Sequence, residues 1–337
     1  MTRAPAGAAR PVSHRMANEA FYRAVVAAGR APSAFNAQPW RWRVTNGVLD
    51  LFADHGAAPA PAGPVDRLIT ISCGAALHHA RLTLAARGWR VTVTRRPDVA
   101  DPDHLARLHI DGPAPVDPDT ARLARVINQR HTDTRPVTGA PIEPDHLRSI
   151  VAAFEAQRVS LGVLRPDQIL GLTVAAARVP GSESTGAQWR AELALWAGAD
   201  RIVGAVDDPR LPIAHGDHDR AAIFAVLHGP RDDSLDWLHA GEALSAGSLV
   251  AAELGVSVLP FSAPIGNDEA RDMLRRAVPE FAHLYLMIRL GRHETGAVAP
   301  RTTRRATAQI LDRGRSDGTR RPFTGGLGPG AADSSSR

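Results

Sequence analysis

Between Arg30 and Trp40 the chain reads Arg-Ala-Pro-Ser-Ala-Phe-Asn-Ala-Gln-Pro-Trp, which gathers Ser33, Asn36 and Gln38 between Pro32 and Pro39. The run falls where a helix ends and a strand begins, so free backbone groups and three neutral side chains can point at one ligand. Neutral donors and acceptors of this kind suit the edge of a flavin ring, whose carbonyls and nitrogens need matched partners once buried. The same residues also describe a plain proline-bracketed turn capped by Ser33 and Asn36, and local sequence leaves both readings open.

Two basic runs add a different chemistry. Asn128-Gln129-Arg130-His131-Thr132-Asp133-Thr134-Arg135-Pro136 follows a helix, and two guanidiniums with a threonine hydroxyl in one turn make a phosphate clamp, because the planar fork matches phosphate oxygens bidentately. With Asp133 as internal counter-ion, the run also reads as an ordinary surface turn. The third run, Pro300-Arg301-Thr302-Thr303-Arg304-Arg305, is of a type that usually forms a solvated face. His215-Gly216-Asp217-His218-Asp219 holds ligand-type residues, but they are adjacent rather than at helix or strand spacing, so a solvated turn is favoured over a metal site. His78 and His79, in mid-helix, read as packing or surface residues. Neither a Gly-x-Ser-x-Gly elbow nor a His-Glu-x-x-His helix occurs, which leaves hydrolase and zinc-protease chemistry without its central groups.

These motifs must be positioned by alternating helices and strands. A helix is expected over Met16 to Gly29 with Phe21, Val25 and Val26 inward, and a strand over Trp40 to Val44. Asn46-Gly47 then makes a hairpin turn before Leu49 to Leu51. A second helix, Thr70 to Arg87, closes at Gly88 before the strand Trp89 to Val93. Further helices are expected at Thr120 to Gln129, Pro144 to Ala156, Pro166 to Arg178, Ala187 to Ala197, Leu235 to Leu254 and Glu269 to Ala277. Further strands are expected at Val159 to Leu164, Ile223 to Leu227 and His283 to Leu290. The mixed order indicates an α+β class. Gly74-Ala75-Ala76-Leu77, Gly88 and Val91 recur as Gly241-Glu242-Ala243-Leu244, Gly255 and Val258, each landmark displaced by the same interval. Such an echo suggests a duplicated unit whose paired helices form the central interface, although Ala/Leu-rich helices also resemble one another by chance.

Composition narrows the classes further. The chain has 337 residues, 44% hydrophobic and 22% charged, which supports a sizeable core in one large domain or two medium ones. Its basic residues are all arginine, spread among Asp and Glu with few aromatics nearby, which argues against nucleic acid despite the net charge of +5. One cysteine, Cys73, excludes an internal disulfide. No long apolar run suggests a membrane span or signal peptide, so a cytoplasmic protein is expected. Residues 1–14 are expected to be a loose arm, and 313–337, rich in Gly and Ser, a disordered tail.

The Ala31 to Trp40 segment resembles the nitroreductase family, in which Ala-Pro-Ser-x-x-Asn-x-Gln-Pro-Trp lies against the FMN isoalloxazine. That family also carries an Arg-Arg-Ser-x-Arg element. The Arg-His-Thr-Asp-x-Arg run from Arg130 to Arg135 is similar to the variant in its actinobacterial dormancy-associated, Acg-like branch, whose members look like fused single-chain pseudo-dimers. The resemblance implies a nitroreductase-like α+β fold with a first half at 15–115 and a second at 116–312, the latter carrying a lid-like insertion at about 180–220. It implies one FMN site. Ser33 and Asn36 would be the main ring contacts, with Pro32 shaping the loop and Arg30 and Gln38 among the cofactor-binding residues; Arg130, Thr132 and Arg135 would hold the phosphate, with two of Arg301, Arg304 and Arg305. Leu259 and Pro260 would stand near the reactive flavin nitrogen. The equivalent second site has lost its parts. NADH or NADPH would dock transiently and pass a hydride through FMN to a nitroaromatic or quinone-type acceptor, with no protein acid or base required. The alternative is a non-catalytic FMN-sequestering protein, closed by Trp189 and Trp196 if these do more than pack their own helix. The expected assembly is a monomer acting as a pseudo-dimer, or a weak homodimer.

Overall fold

The computed structural model describes residues 13–57, 65–133, 135, 137, 140–169, 221–261, 272, 275–276, 278–293 and 302–313. The expected insertion with Trp189 and Trp196, the His215–Asp219 run, Arg301, Thr134 and most of both terminal segments lie outside the described residues. So do the helix expected at Ala187 to Ala197 and most of those expected at Pro166 to Arg178 and Glu269 to Ala277.

Helix α1 (His14–Ala28) starts at Ser13, whose Oγ accepts the Met16 amide, and buries Phe21, Ala24 and Val25. Val26, expected inward, is instead 38% exposed, because one residue past Val25 the helix has turned by about 100° toward solvent. Strands β1 (Trp40–Thr45) and β2 (Val48–Ala53) pair across Asn46 and Gly47, whose φ values of 50° and 78° suit a two-residue turn matched to strand twist. Trp40, Trp42, Leu49 and Leu51 are fully buried. Helix α2 (Val65–Ala86) begins at Val65 rather than Thr70 and leads through Gly88 into β3 (Trp89–Arg95). Strand β4 (His104–Pro113) was not expected, although Ala106, Leu108 and Ile110 alternate inward against exposed Arg107, His109 and Asp111. Helices α3 (Pro118–Val126) and α4 (Pro144–Glu155) follow, each with proline in its first turn. Strands β5 (Ser160–Val163) and β6 (Ile223–Gly229), helix α5 (Ser234–Glu253), and strands β7 (Ser257–Phe261) and β8 (His283–Gly291) complete a second unit. The chain then forms a short helix, α6 (Thr307–Ile310), and a final strand, β9 (Leu311–Arg313).

The two sheets share one topology. Read from β1, the first runs β1-β2-β4-β3; the second runs β5-β6-β8-β7, with neighbouring strands antiparallel in both. In each, a helix precedes the first strand and a long helix joins the inner hairpins. The glycines that lead into β3 and β7, Gly88 and Gly255, hold φ values of 78° and 70°. Strand β9 breaks the likeness by adding parallel to β1, so the end of the chain returns to the first sheet. Arg313, expected in the loose tail, still pairs with Val44.

Helices α2 and α5 cross at the core. A Cβ on Gly241 would sit 2.8 Å from Gly74 Cα and overlap the Ile71 carbonyl, while a Cβ on Gly74 would sit 3.0 Å from Gly241 Cα and overlap the Leu238 carbonyl. His78 and Ser245, 167 positions apart like Gly74 and Gly241, meet across the same crossing at 2.8 Å. Reciprocal contacts between equivalent positions are what a two-fold interface produces. Burial, aided by the charge of Arg81, lowers the His78 pKa to about 4 and keeps that imidazole neutral. One feature of the crossing is not shared: Glu242, fully buried, accepts from Arg81 and from Arg95 at 2.8 and 3.0 Å and lies 3.3 Å from His239, whereas its counterpart in the first unit is Ala75. Burial pushes the Glu242 carboxyl up, but the His239 hydrogen bond and the two guanidiniums outweigh it and hold the pKa at about 2. Among the described residues, no helix is long and apolar enough to cross a membrane.

Candidate functional site

The loop between α1 and β1 is strained at three non-glycine residues: Phe35, Asn36 and Gln38 hold φ of 54°, 55° and 51°. Left-handed backbone at Phe35 and Gln38 costs energy that neighbouring contacts must offset, and such strain concentrates at ligand sites. The offsetting bonds are visible. The Ser33 hydroxyl accepts the Gln38 amide at 3.0 Å, and the Ser72 hydroxyl on α2 accepts the Ala34 amide at 3.1 Å. Ser33 keeps its hydroxyl hydrogen for another acceptor, because the bond to Gln38 uses only the oxygen.

The residues around Thr303 dock onto this loop from the far end of the chain. Asn36 Nδ2 donates to the Thr303 carbonyl at 3.0 Å, and Arg304 donates to Asn36 Oδ1 at 2.8 Å. Gln38 Oε1 accepts the Arg305 amide at 2.8 Å, and the Arg305 guanidinium reaches the Gln38 carbonyl and Asp54, both at 3.3 Å. Helix α6 and β9 hold the segment there by packing against β1. Asn36 and Gln38, expected to face a ligand, are here the joint between the α1–β1 loop and residues 303–305.

Arg130 enters the same place. Its guanidinium donates to the Arg30 carbonyl at 3.2 Å, at the end of α1, and its buried Nε has no hydrogen-bond partner. Burial first and the Arg304 charge second lower its pKa to about 10. Arg304 is lowered by burial and then by Arg30. Arg304 thus feels Arg30 and in turn acts on Arg130, and among the described residues no carboxylate pairs with Arg30, Arg130 or Arg304. Such a group favours an anion rich in acceptors, above all a phosphate, because holding the partly buried Arg130 and Arg304 near each other and the exposed Arg30 without a counter-charge is unfavourable.

The remaining expected residues separate by place. Pro32 is buried at the base of the loop. Arg135 closes on Asp133 through bonds at 2.5, 2.9 and 3.2 Å rather than joining the arginine group, and His293 and the Arg289 guanidinium surround that turn. Thr132 is half-buried beside it, and His131 is exposed, its ring within reach of the Gln129 carbonyl. Leu259 and Pro260 lie on β7, opposite Arg289 and Ile288 of β8, with Leu259 packed into a cluster that includes Phe261 and Met287. A separate cavity of about 650 Å³ is lined by Asp272, Arg275, Arg276, Pro279, Phe281 and Ala282 and shares no residue with the arginine group. Sequence reasoning assigned no role to Ser72, Thr303 or Asp54, which reach the site only through tertiary packing, and read His79 as a packing or surface residue; its ring is fully buried.

No family model matches the chain. It is 32% identical over 310 residues to a Mycobacterium tuberculosis H37Rv protein provisionally named NAD(P)H nitroreductase Rv3131, covering 84% of this chain and 88% of the relative. It is 28% identical over 315 residues to the M. tuberculosis H37Rv protein provisionally named NAD(P)H nitroreductase acg, covering 86% and 94%. Among solved structures, a nitroreductase with bound FMN from Bacteroides fragilis NCTC 9343 overlaps 55% of this chain and 95% of its own, at 16% identity and a TM-score of 0.38.

Proposed function

The chain belongs to the NAD(P)H nitroreductase family, and from that premise we propose that it binds one FMN and transfers hydride from NADH or NADPH to a nitroaromatic or quinone-type acceptor. The observation that carries this is the meeting of Arg30, Arg130 and Arg304, without a carboxylate, beside the Pro32 to Trp40 loop. The donor set fits the cofactor. Cations suit its phosphate, and the neutral Ser33 hydroxyl with the loop backbone suits its ring edge. Arg130 and Arg304 would hold the phosphate with Arg30 at the exposed side; Thr132 and Arg301 stay candidates from the sequence alone, while Arg135 is engaged by Asp133 and Arg305 by Asp54. Ser33, Asn36 and Gln38 would orient the ring on a loop whose strained backbone is already set, and Pro32 would fix its base. Leu259 and Pro260 would form the wall of the second unit near the reacting edge. Bound FMN supplies the hydride chemistry, so the protein's part is orientation, electrostatics and exclusion of water.

Because the arginine group unites the two ends of the chain across the paired units, one polypeptide would complete one site, as a monomeric pseudo-dimer divided near 115 or a weak homodimer of such chains. The test is anaerobic mixing of FMN-loaded protein with NADH or NADPH while the visible flavin band is followed. Rapid bleaching, reversed by a quinone or nitroaromatic, is the expected result. An unchanged oxidised band with FMN still bound would favour flavin sequestration, and failure to take up FMN would overturn both.

A further inference from the structure

His79 on α2 has no part in the phosphate grip described so far, yet its ring is built into the same end of α1. Its Nδ1 lies 3.1 Å from the Ala27 carbonyl. A carbonyl only accepts, so Nδ1 carries the proton and Nε2 is left as a lone pair. That Nε2 is buried and unpartnered, and so is Arg130 Nε, which can only donate. The two side chains are anchored three residues apart, His79 on the Ala27 carbonyl and Arg130 on the Arg30 carbonyl. A buried acceptor and a buried donor, each lacking the partner that the other supplies, stand at one corner of the arginine group.

We propose that His79 is a positioning residue for the phosphate site: its Nε2 accepts the Arg130 Nε–H when a phosphate monoester draws that guanidinium into place. Nε would then face the protein, leaving Nη1 and the second N–H of Nη2, whose first is held by the Arg30 carbonyl, for contact with phosphate oxygens. Four groups act on the ring. Arg130, Arg304 and His78 oppose its protonation, as burial does more strongly, and only the hydrogen-bonded Ala27 carbonyl favours it; the His79 pKa is accordingly far below the usual imidazole value. The ring therefore stays neutral at ordinary pH, and the lone pair remains available.

The inference rests on the FMN reading, and the experiment separates the two. Nitrogen NMR of full-length protein with labelled histidine and arginine should show His79 with Nε2 unprotonated, and addition of FMN should produce a slowly exchanging Arg130 Nε–H. His79→Asn keeps a donor toward Ala27 but loses the far acceptor. It should weaken FMN binding about tenfold, equivalent to about 1.4 kcal/mol, leave riboflavin binding unchanged and abolish the protected Nε–H; His79→Gln, which restores an acceptor at the far position, should recover most of the loss. Equal losses for FMN and riboflavin, or a protonated Nε2, would overturn the role. If His79→Asn does not fold, the wild-type spectrum decides: FMN bound without protection of Arg130 Nε–H refutes the inference while the FMN reading stands. Wild-type protein that takes up no FMN brings down both.

Discussion

Glu242 and Arg130 are both charged groups drawn into the protein, and their surroundings are opposite. Glu242 is met by Arg81, Arg95 and His239, so its charge is compensated inside the chain and its carboxyl is held at about 2. Arg130 receives only a backbone carbonyl, and burial first and the neighbouring Arg304 charge second lower it to about 10. The first arrangement is closed and fastens the two units, because Arg81 and Arg95 come from the first and Glu242 from the second. On the proposed function, the second would be open toward an anion. A buried charge that the fold itself satisfies serves architecture, whereas one left among like charges marks a place where a partner of opposite charge supplies the missing energy.

The contrast breaks most visibly at the arginine group. Replacing Arg130 and Arg304 together by alanine should weaken FMN binding by about a hundredfold or more, since hydrogen bonds to charged groups contribute roughly 1.5–3 kcal/mol each; fluorescence titration measures it, and unchanged affinity would remove the phosphate assignment. At the closed site, Glu242→Ala should cost about 3 kcal/mol of stability in urea unfolding, at the lower end for a broken buried pair because Arg81 and Arg95 keep some contact with water. FMN affinity should change far less than stability. The same pair of proteins sharpens the point with pH. A carboxyl depressed from 4.5 to about 2 on folding stabilises fully above pH 4.5 and loses that contribution as pH falls toward 2. The stability gap between wild type and Glu242→Ala should therefore narrow across that window, and a constant gap would argue against the ionised carboxylate.

Gly241→Ala tests the crossing without touching charge. Its methyl would overlap backbone on α2, so the helices must separate, at about 2–3 kcal/mol by the upper range for overpacking. The smallest effect is expected at Arg135. Its guanidinium is committed to Asp133, so Arg135→Ala should change FMN affinity by no more than about twofold, the roughly 0.5 kcal/mol of an ordinary surface substitution. A large loss would show that Arg135 leaves Asp133 when ligand binds.

Much of the fold was written locally. Asn46-Gly47, Gly88, Gly255 and the proline starts of α3 and α4 are chemical punctuation, and the repeated landmarks around Gly74 and Gly241 pointed to the paired helices before their contact was known. Strand β4 went unread because its outward Arg107, His109 and Asp111 drew attention from the alternating Ala106, Leu108 and Ile110 between them. Strand β9 is three residues long, too short to carry a period, and exists because β1 offers an edge.

Residue type and spacing alone determined that this chain holds a neutral loop and two arginine-rich runs, and the family resemblance assigned both runs to a flavin phosphate. Asp133 was legible as a local counter-ion, but that it takes Arg135 rather than Arg130, that Asp54 engages Arg305, and that among the described residues no carboxylate reaches Arg130 or Arg304 was decided only in three dimensions. The reason is physical. Hydrogen-bonding capacity belongs to a side chain, but whether that capacity is spent or free depends on the neighbours that folding brings from distant parts of the chain, and sequence distance does not record them.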